Sequence, residues 1–575
     1  MSLDRAVDAS AQLADPIEME VFSNRLMSIV EGMLNILVRS SFSTNIKERR
    51  DCSVGLFDAE GRVLAQTEHT PLHLGSTLGA VRTLLDRIPR DRIRPGDAFI
   101  CNDPYLAGGT HLPDITIVSP VFAGDELALF VANIAHHADV GGLVPGSIAG
   151  SATSIFQEGI RIPLVRICDA GQLDTDLLEV IVANTRDPGE RRLDLGVQIA
   201  TNERGVEMAR ALAGRMGIAR LRSATADLLA YTERRLAMRI AALLPVEGRY
   251  SALLDDDGVG GESVTISASV RAAEGRLVVD FTGTGSEARG AMNVPTSALR
   301  ATVSYVVKMM LDPSLMANQG ALSALELLAP EGTIVNPRHP AAVGARSITA
   351  NKIARAVIGA LTQMLPPDRG IAAGQDIVPG MVFAGHRRRG DPYVYLETIG
   401  GGSGGTASVD GMDGVQVHVT NTSNLPAEAL ENEYELRVDA YELVGDSGGA
   451  GTFRGGLGIA RQIQALEDGV VFSARSDGHV NPAPGLRGGA PGRCARLVFN
   501  PGRPDARELG SKTSNLVLRK GDAVRLETPG GGGLGEPDRR ADAAILADLL
   551  DGKTSRPLAD DSYGTERVAR LLGGG

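Results

Sequence analysis

Glycine distribution is the feature that most constrains this chain: 70 of 575 residues are glycine, and many fall in three late clusters. These are GGGSGG (400–405), GDSGGAGTFRGGLG (445–458) and TPGGGGLGEP (528–537). Without a collagen period, so much glycine implies tight turns and backbones that approach closely, since only glycine leaves room for another main chain. None of the clusters has the spacing of a phosphate-binding P-loop; the nearest look-alike, GKTS (552–555), has Ala547 where that pattern needs glycine. Tight turns in a β-rich region are therefore the expected role. Arg454 is the one charged group in these segments placed to touch an anion. GDSGG (445–449) resembles a serine-protease sequence only superficially, because the chain is acidic and its cysteines are sparse.

At this length one hydrophobic core does not suffice, and several domains are expected. A formal net charge of −12 argues against a nucleic-acid surface, and no run of about 18 apolar residues suggests a membrane span. Four scattered cysteines and an N-terminus without an apolar leader point to a cytoplasmic protein. The pattern predicts a flexible arm over 1–15 and a helix beginning at Asp15–Pro16, with Phe22, Leu26, Ile29, Met33, Ile36 and Leu37 on one face. Strands are predicted in CSVGLFD, GRVLAQ, DAFICNDP (97–104), DITIVSPVF (114–122) and LALFVANIAHH (127–137). A helical pair follows over 197–245, then a hairpin around RAAEG, helices near 297–311 and 349–364, and a glycine-punctuated β-rich stretch. The fold class expected is α+β and multidomain. A mixed α/β region (16–245) leads into a glycine-rich, β-rich region with packed helices (246–537), and a tail (538–575) closes the chain.

Five of the nine histidines, His69, His73, His111, His136 and His137, fall within one stretch, together with Asp51, Asp103, Asp114 and Asp139. The motifs are H-x-x-D (His111, Asp114) and H-H-x-D (His136, His137, Asp139), at strand ends where a rigid scaffold can present chemistry. Mixed imidazole and carboxylate donors suit Mn²⁺, Fe²⁺ or Zn²⁺. The competing reading is that these histidines cap strand ends and bond to backbone carbonyls. Adjacent side chains on a strand point to opposite faces, so His136 and His137 do not easily serve one ion together. Asp103 before Pro104 reads as a turn-forming residue.

NDPYLAGGTHLPDITIVSPVF, HHADVGG, DCSVGLFDAEGRVLAQTEHTPLHLG, DSGGAGTFRGGLG and TPGGGGLGEP together resemble the hydantoinase B family from about Pro16 to Pro537. That family includes the corresponding parts of ATP-dependent N-methylhydantoinases, 5-oxoprolinases and caprolactamase, and is related to the large subunits of acetone and acetophenone carboxylases. The resemblance implies a division of labour. A hydantoinase A-type ATPase subunit phosphorylates the carbonyl oxygen of a small cyclic amide, and the B-type subunit, in a hetero-oligomer with it, uses one divalent metal (Mn or Zn, or Fe) to hydrolyse the activated carbon. ATP is used through the partner. The metal ligands carried over are Asp51, His111, Asp114 and His136. His73 and His137 then take supporting or proton-transfer roles, and Asp139 orients a histidine. The same resemblance leaves open a carboxylase subunit that captures CO₂, or a metal-stabilised scaffold without turnover.

Overall fold

In the computed structural model, which describes residues 16–67 and 69–573, the first region is organised by one sheet. The expected arm (1–15) and the Asp15 cap lie outside the described residues. Helices α1 (Pro16–Ser40) and α2 (Thr44–Lys47) precede β1 (Cys52–Asp58) and β2 (Val63–Gln66); α3 (His73–Arg87) then leads to β3 (Ala98–Cys101), β4 (Asp114–Ala123) and β5 (Glu126–His136). β6 (Val165–Asp169), β7 (Gln172–Leu173), α4 (Thr175–Val182), α5 (Pro188–Met216) and α6 (Ile218–Ala241) complete it. The strand order is β2-β1-β5-β4-β3-β6-β7.

Both faces of this sheet are covered, which is why β1 is buried at every position rather than alternately. Val54, Leu56, Leu129 and Val131 pack on one side against Phe22, Leu26 and Met33 of α1, Leu212 of α5 and Leu228 of α6. Phe57, Phe130 and Ala132 pack on the other with Val81 and Leu84 of α3. By length and mean hydropathy α1 could cross a membrane, but it is no unbroken apolar run, since Asn24, Arg25, Glu31 and Asn35 interrupt it. Here its apolar stripe lies in that core.

β8 (Glu247–Leu254), β9 (Val264–Ala273), β10 (Arg276–Asp280) and, after α7 (Thr296–Leu311) and α8 (Gln319–Ser323), β11 (Leu325–Leu328) form a second sheet in the order β11-β10-β9-β8. The expected hairpin is β9–β10, turning at Glu274–Gly275. Across this sheet lies α9 (Arg346–Met364), in which every residue but Gln363 is buried. Its apolar residues Ile348, Ile353, Val357 and Leu361 join Val270, Val279 and Val303 in the largest core of the molecule, while Arg346, Lys352 and Arg355 are buried with them.

The last region holds β12 (Gly380–His386), β13 (Pro392–Thr398), α10 (Ala427–Glu433), β14 (Leu436–Leu443), β15 (Ile459–Ala465), β16 (Val470–Arg475), β17 (Arg496–Phe499), β18 (Arg507–Glu508), β19 (Leu516–Leu518) and β20 (Ala523–Glu527). They form two sheets, β13-β12-β16-β19 and β14-β15-β20-β17-β18, which share a core containing Phe383, Tyr395, Phe472, Ile463 and Leu526. Beside this sandwich the three glycine clusters lie against one another. Gly531 N–H donates to Gly456, Gly456 N–H to Ser403, Gly405 N–H to Gly532 and Gly449 N–H to Gly531. A β-carbon on Gly455 would sit 1.9 Å from the Gly531 carbonyl, and one on Gly531 would sit 1.9 Å from that of Ser403. The clusters thus form a hydrogen-bonded stack of bare backbones. Arg454 is already engaged: it is buried, bonds to the Gly455 carbonyl and pairs with Asp413 and Asp548, each at 3.3 Å. The tail forms α11 (Asp542–Leu550), α12 (Arg556–Tyr563) and α13 (Thr565–Leu571), and it packs Ile545, Tyr563 and Val568 beside Ala450.

Candidate metal centre

Strand register assembles the site. Asp114 opens β4 and His136 closes β5, and the two are direct partners across the ladder. Cys52 pairs with Ala135, so the preceding Asp51 falls beside His136, whose N–H donates to the Asp51 carbonyl at 2.9 Å. Arg50 takes φ +56°, a left-handed turn rare outside glycine, immediately before Asp51 enters the site. His111 sits one turn upstream of Asp114, and His73 is the first residue of α3.

The donor atoms converge. His111 Nε2 lies 2.9 Å from Asp114 Oδ1, His136 Nδ1 lies 3.0 Å from the same oxygen, and the two ring nitrogens are 3.2 Å apart. His111 Nδ1 is 3.0 Å from the Gly344 carbonyl; because a carbonyl only accepts, the proton resides there and leaves Nε2 as a lone pair. A proton on His136 Nδ1 bridges the lone pair and the carboxylate oxygen as they stand, and a cation in its place would find the same three donors. Among the described residues, His111, Asp114 and His136 form the one group of at least three such donors close enough to share an ion. His73 Nε2 stands 3.5 Å from Asp51 Oδ1 and 3.9 Å from Asp114 Oδ1, while its Nδ1 is 3.0 Å from Ser53 Oγ. Asp51, His73, His111, Asp114 and His136 are therefore brought together.

His137 and Asp139 are not part of this group. His137 points to the other face of the strand, as alternation requires, and its Nε2 lies 2.9 Å from Gln198 Oε1 on α5. The alternative of His137 in the site is corrected accordingly. Asp139 orients no histidine: its oxygens accept from the Gly141, Gly146 and Arg186 N–H groups and from the Arg186 side chain, which holds a loop. Asp103 accepts from Tyr105 and Leu106 N–H, each at 2.8 Å, making the turn expected of it.

Electrostatics leave the imidazole neutral and the carboxylate ionised, the forms in which both can ligate, although the Arg346 charge itself opposes a second cation. Burial, then the Arg346 charge, pushes His111 down to about 3, so its imidazole stays neutral. Burial alone would raise the Asp114 carboxyl, but the facing imidazoles and Arg346 hold it well below the usual carboxylate range. Burial also lowers His73. Two further residues, Arg346 and Glu158, carry no motif that marks them in the sequence. Arg346, the first residue of α9, pairs with Asp114 Oδ2, which also accepts from Thr110 Oγ at 2.9 Å. Glu158 Oε1 accepts the Val343 and Gly344 N–H groups at 2.9 and 2.6 Å and so fixes the carbonyl that holds His111. Both reach the site from distant sequence, with no local spacing to reveal them. Beside the His73 segment an apolar cavity of about 250 Å³ is lined by Thr67, Pro71, Leu74, Tyr305, Met309 and Met316, among others.

The sequence profile of the hydantoinase B/oxoprolinase family matches residues 15–537. An uncharacterised protein of Methanocaldococcus jannaschii is 37% identical over 96% of each chain. Arabidopsis thaliana 5-oxoprolinase 1 is 32% identical over 92% of this chain, which spans only 42% of that longer protein. A protein of Pseudomonas sp. (strain NS671) assigned as the B-type subunit of a D-/L-hydantoinase is 30% identical over 96% of this chain and 95% of its own. Among solved structures, the ATP-dependent caprolactamase of Pseudomonas jessenii aligns over 96% of each chain with a TM-score of 0.88 and 26% identity.

Proposed function

Since the chain belongs to the hydantoinase B/oxoprolinase family, we propose that it is the metal-bearing B-type subunit of an ATP-dependent hydrolase of cyclic amides. It acts on a carbonyl-phosphorylated substrate made by a hydantoinase A-type ATPase subunit. The observation that carries this reading is the convergence of His111 Nε2, His136 Nδ1 and Asp114 Oδ1 within hydrogen-bond distance, with the His111 proton already committed to Gly344. The Pseudomonas relative assigned as one subunit of a hydantoinase supports a separate partner, and the glycine clusters offer no P-loop.

Amide resonance makes direct hydrolysis slow; O-phosphorylation makes the carbon a good electrophile and the phosphate a good leaving group. Asp51, His111, Asp114 and His136 would hold one divalent ion, Mn, Zn or Fe, which when bound supplies Lewis acidity and lowers the pKa of water. The chain's own residues do the rest. Neutral His73 can accept the proton of attacking water at Nε2, with Asp51 Oδ1 3.5 Å away to stabilise the imidazolium and Ser53 fixing the opposite edge. Arg346 keeps Asp114 ionised and immobile. The apolar cavity beside His73 suits the methylene face of a small ring.

Metal analysis of protein purified without chelator, alone and with the ATPase subunit, tests the proposal. One ion per chain is expected, lost in His111→Ala, together with ATP-dependent opening of a hydantoin or lactam without added bicarbonate. A co-purified complex that is metal-free yet active would sink it; a product formed only with bicarbonate would move it to carboxylation.

A further inference from the structure

Arg475, the last residue of β16, is 5% exposed, and its guanidinium makes no hydrogen bond or ion pair among the described residues. Nε and Nη1 are sealed in without a partner, which leaves Nη2 as the nitrogen whose surface is not closed off. Register fixes where this group stands. Gly380 of β12 pairs with Arg475 on one side and with Thr398 of β13 on the other, and residues opposite one another on neighbouring strands share a face. A β-carbon on Gly380 would sit 3.0 Å from both Cζ and Nη1 of Arg475, so glycine there makes room for the guanidinium. Thr398 Oγ1 accepts from Arg49 Nη2 at 2.9 Å, and the same nitrogen is 4.0 Å from Asp51 Oδ2. One row thus runs from Arg475 through Arg49 to Asp51. Asp51 is the outward edge of the metal centre: its side chain is 13% exposed, against 5% or less for His73, His111, Asp114 and His136.

The charges at this edge do not balance. Arg49 has Asp51 within reach and Arg346 pairs with Asp114, whereas Arg475 has no carboxylate of its own. Burial, then the Arg49 and Arg346 charges, push its guanidinium down to about 9, still cationic at neutral pH; Asp51 and Asp114 oppose the shift. Glu158, the other carboxyl that acts on Arg346, is pushed up to about 7 by burial and is only partly ionised at neutral pH. A buried charge without a partner is costly, and a bound divalent ion would enlarge the surplus.

We propose that Arg475 is the counter-ion for the phosphoryl group of the activated substrate, and for the phosphate released from it, at the Asp51 edge of the metal centre. Nη2 carries two N–H donors, and charge-assisted bonds from a guanidinium to phosphate oxygens are among the strong ones. An unphosphorylated amide is neutral and leaves the surplus in place, so Arg475 selects the activated form over the starting amide. The identity of the anion rests on the hydrolase reading; the unpaired guanidinium does not.

Titration calorimetry on the chelator-treated full chain, where no ion can hold the anion, uses inorganic phosphate, methyl phosphate and acetate as probes. Both phosphates should bind, and acetate at least about tenfold more weakly. Arg475→Met, uncharged and of similar length, should lose phosphate binding, and Arg475→Lys should weaken it about tenfold. In phosphate-free buffer Arg475→Met should melt above wild type, because it removes an unpaired buried charge, and added phosphate should raise the melting point of wild type alone. No phosphate binding by wild type, binding indifferent to Arg475→Met, or acetate that matches phosphate would each overturn the proposal. So would an Arg475→Met chain that fails to fold or melts below wild type, since its guanidinium would then be satisfied within the fold. In the metal-loaded complex with the ATPase subunit, ring opening without phosphate binding at Arg475 strikes this inference alone. Phosphate binding at Arg475 without ring opening strikes the hydrolase reading, while the phosphate site stands.

Discussion

Glu158 shows how one buried charge can report on the site. Burial raises its carboxyl from an ordinary 4.5 to about 7, although two backbone N–H groups oppose the shift. The folded chain therefore holds a proton that the unfolded chain has released, and stability declines as pH rises from 4.5 to about 7, with the full cost present above that. A displacement of this size corresponds to roughly 3 kcal/mol. Glu158→Gln keeps an acceptor for Val343 and Gly344 and carries no charge. It should melt higher than wild type at pH 8, and the gap should close at pH 4. An equal gap at both pH values would mean that the carboxylate is not buried as a charge. The sequence could not have shown this residue. Its partners lie 185 and 186 positions away, whereas His111, Asp114 and His136 were legible because the hairpin β4–β5 is local and its register follows from spacing. Strand alternation foresaw that His136 and His137 diverge, but not that Gln198 on a distant helix would take His137.

Among elements, the glycine stack and the long helices give opposite predictions for the same substitution. Gly531→Ala drives a methyl to within 1.9 Å of the Ser403 carbonyl, a contact that only backbone movement can relieve, and it should cost at least about 3 kcal/mol or prevent folding. Gly196→Ala, inside α5 at an exposed position with nothing within 4 Å of the new carbon, should stabilise by about 0.5–1 kcal/mol. Urea melts of the two variants beside wild type check both signs. Elements with a clear period were legible, such as β1, which matches the predicted CSVGLFD residue for residue. α5 begins nine residues earlier than the pattern suggested, because Asp187 and Pro188 supply a cap and first turn ahead of the apolar stripe. α9 begins at Arg346 rather than Thr349, since Arg346 and Ser347 break the apolar pattern, and Arg346 turns instead to Asp114. Close contact among the glycine clusters was foreseeable; which cluster meets which was not, because bare backbone carries no side-chain code for partners.

Over the whole molecule, the C-terminal helices are tied to the glycine stack by charge. Arg540 reaches both oxygens of Asp410 at 2.7 Å and Asp548 at 2.6 Å, and Asp548 also receives Arg454. Ending the chain at Pro537 removes Arg540 and Asp548 together, which leaves Arg454 buried with Asp413 alone. Stability should drop by about 3–5 kcal/mol, the usual cost of breaking a buried pair. Metal stoichiometry should survive the truncation, because none of the clustered donors bonds to the tail. Calorimetric melting combined with metal analysis of the truncated chain checks both outcomes, and loss of metal would show that the tail shapes the centre from a distance.

The stack of bare backbones also bears on how such a chain can change over generations. A histidine ligand can be exchanged for another donor, and a core leucine for another hydrocarbon of similar volume. Gly531, Gly455 and their neighbours have no such synonym, because every other residue carries the β-carbon that the facing carbonyl excludes. Random substitution there is almost always lost, so the spacing of these glycines should drift more slowly than the pocket walls. A descendant with a new substrate would then still be recognisable by the interval between its glycine clusters, after the residues that choose the substrate had been replaced.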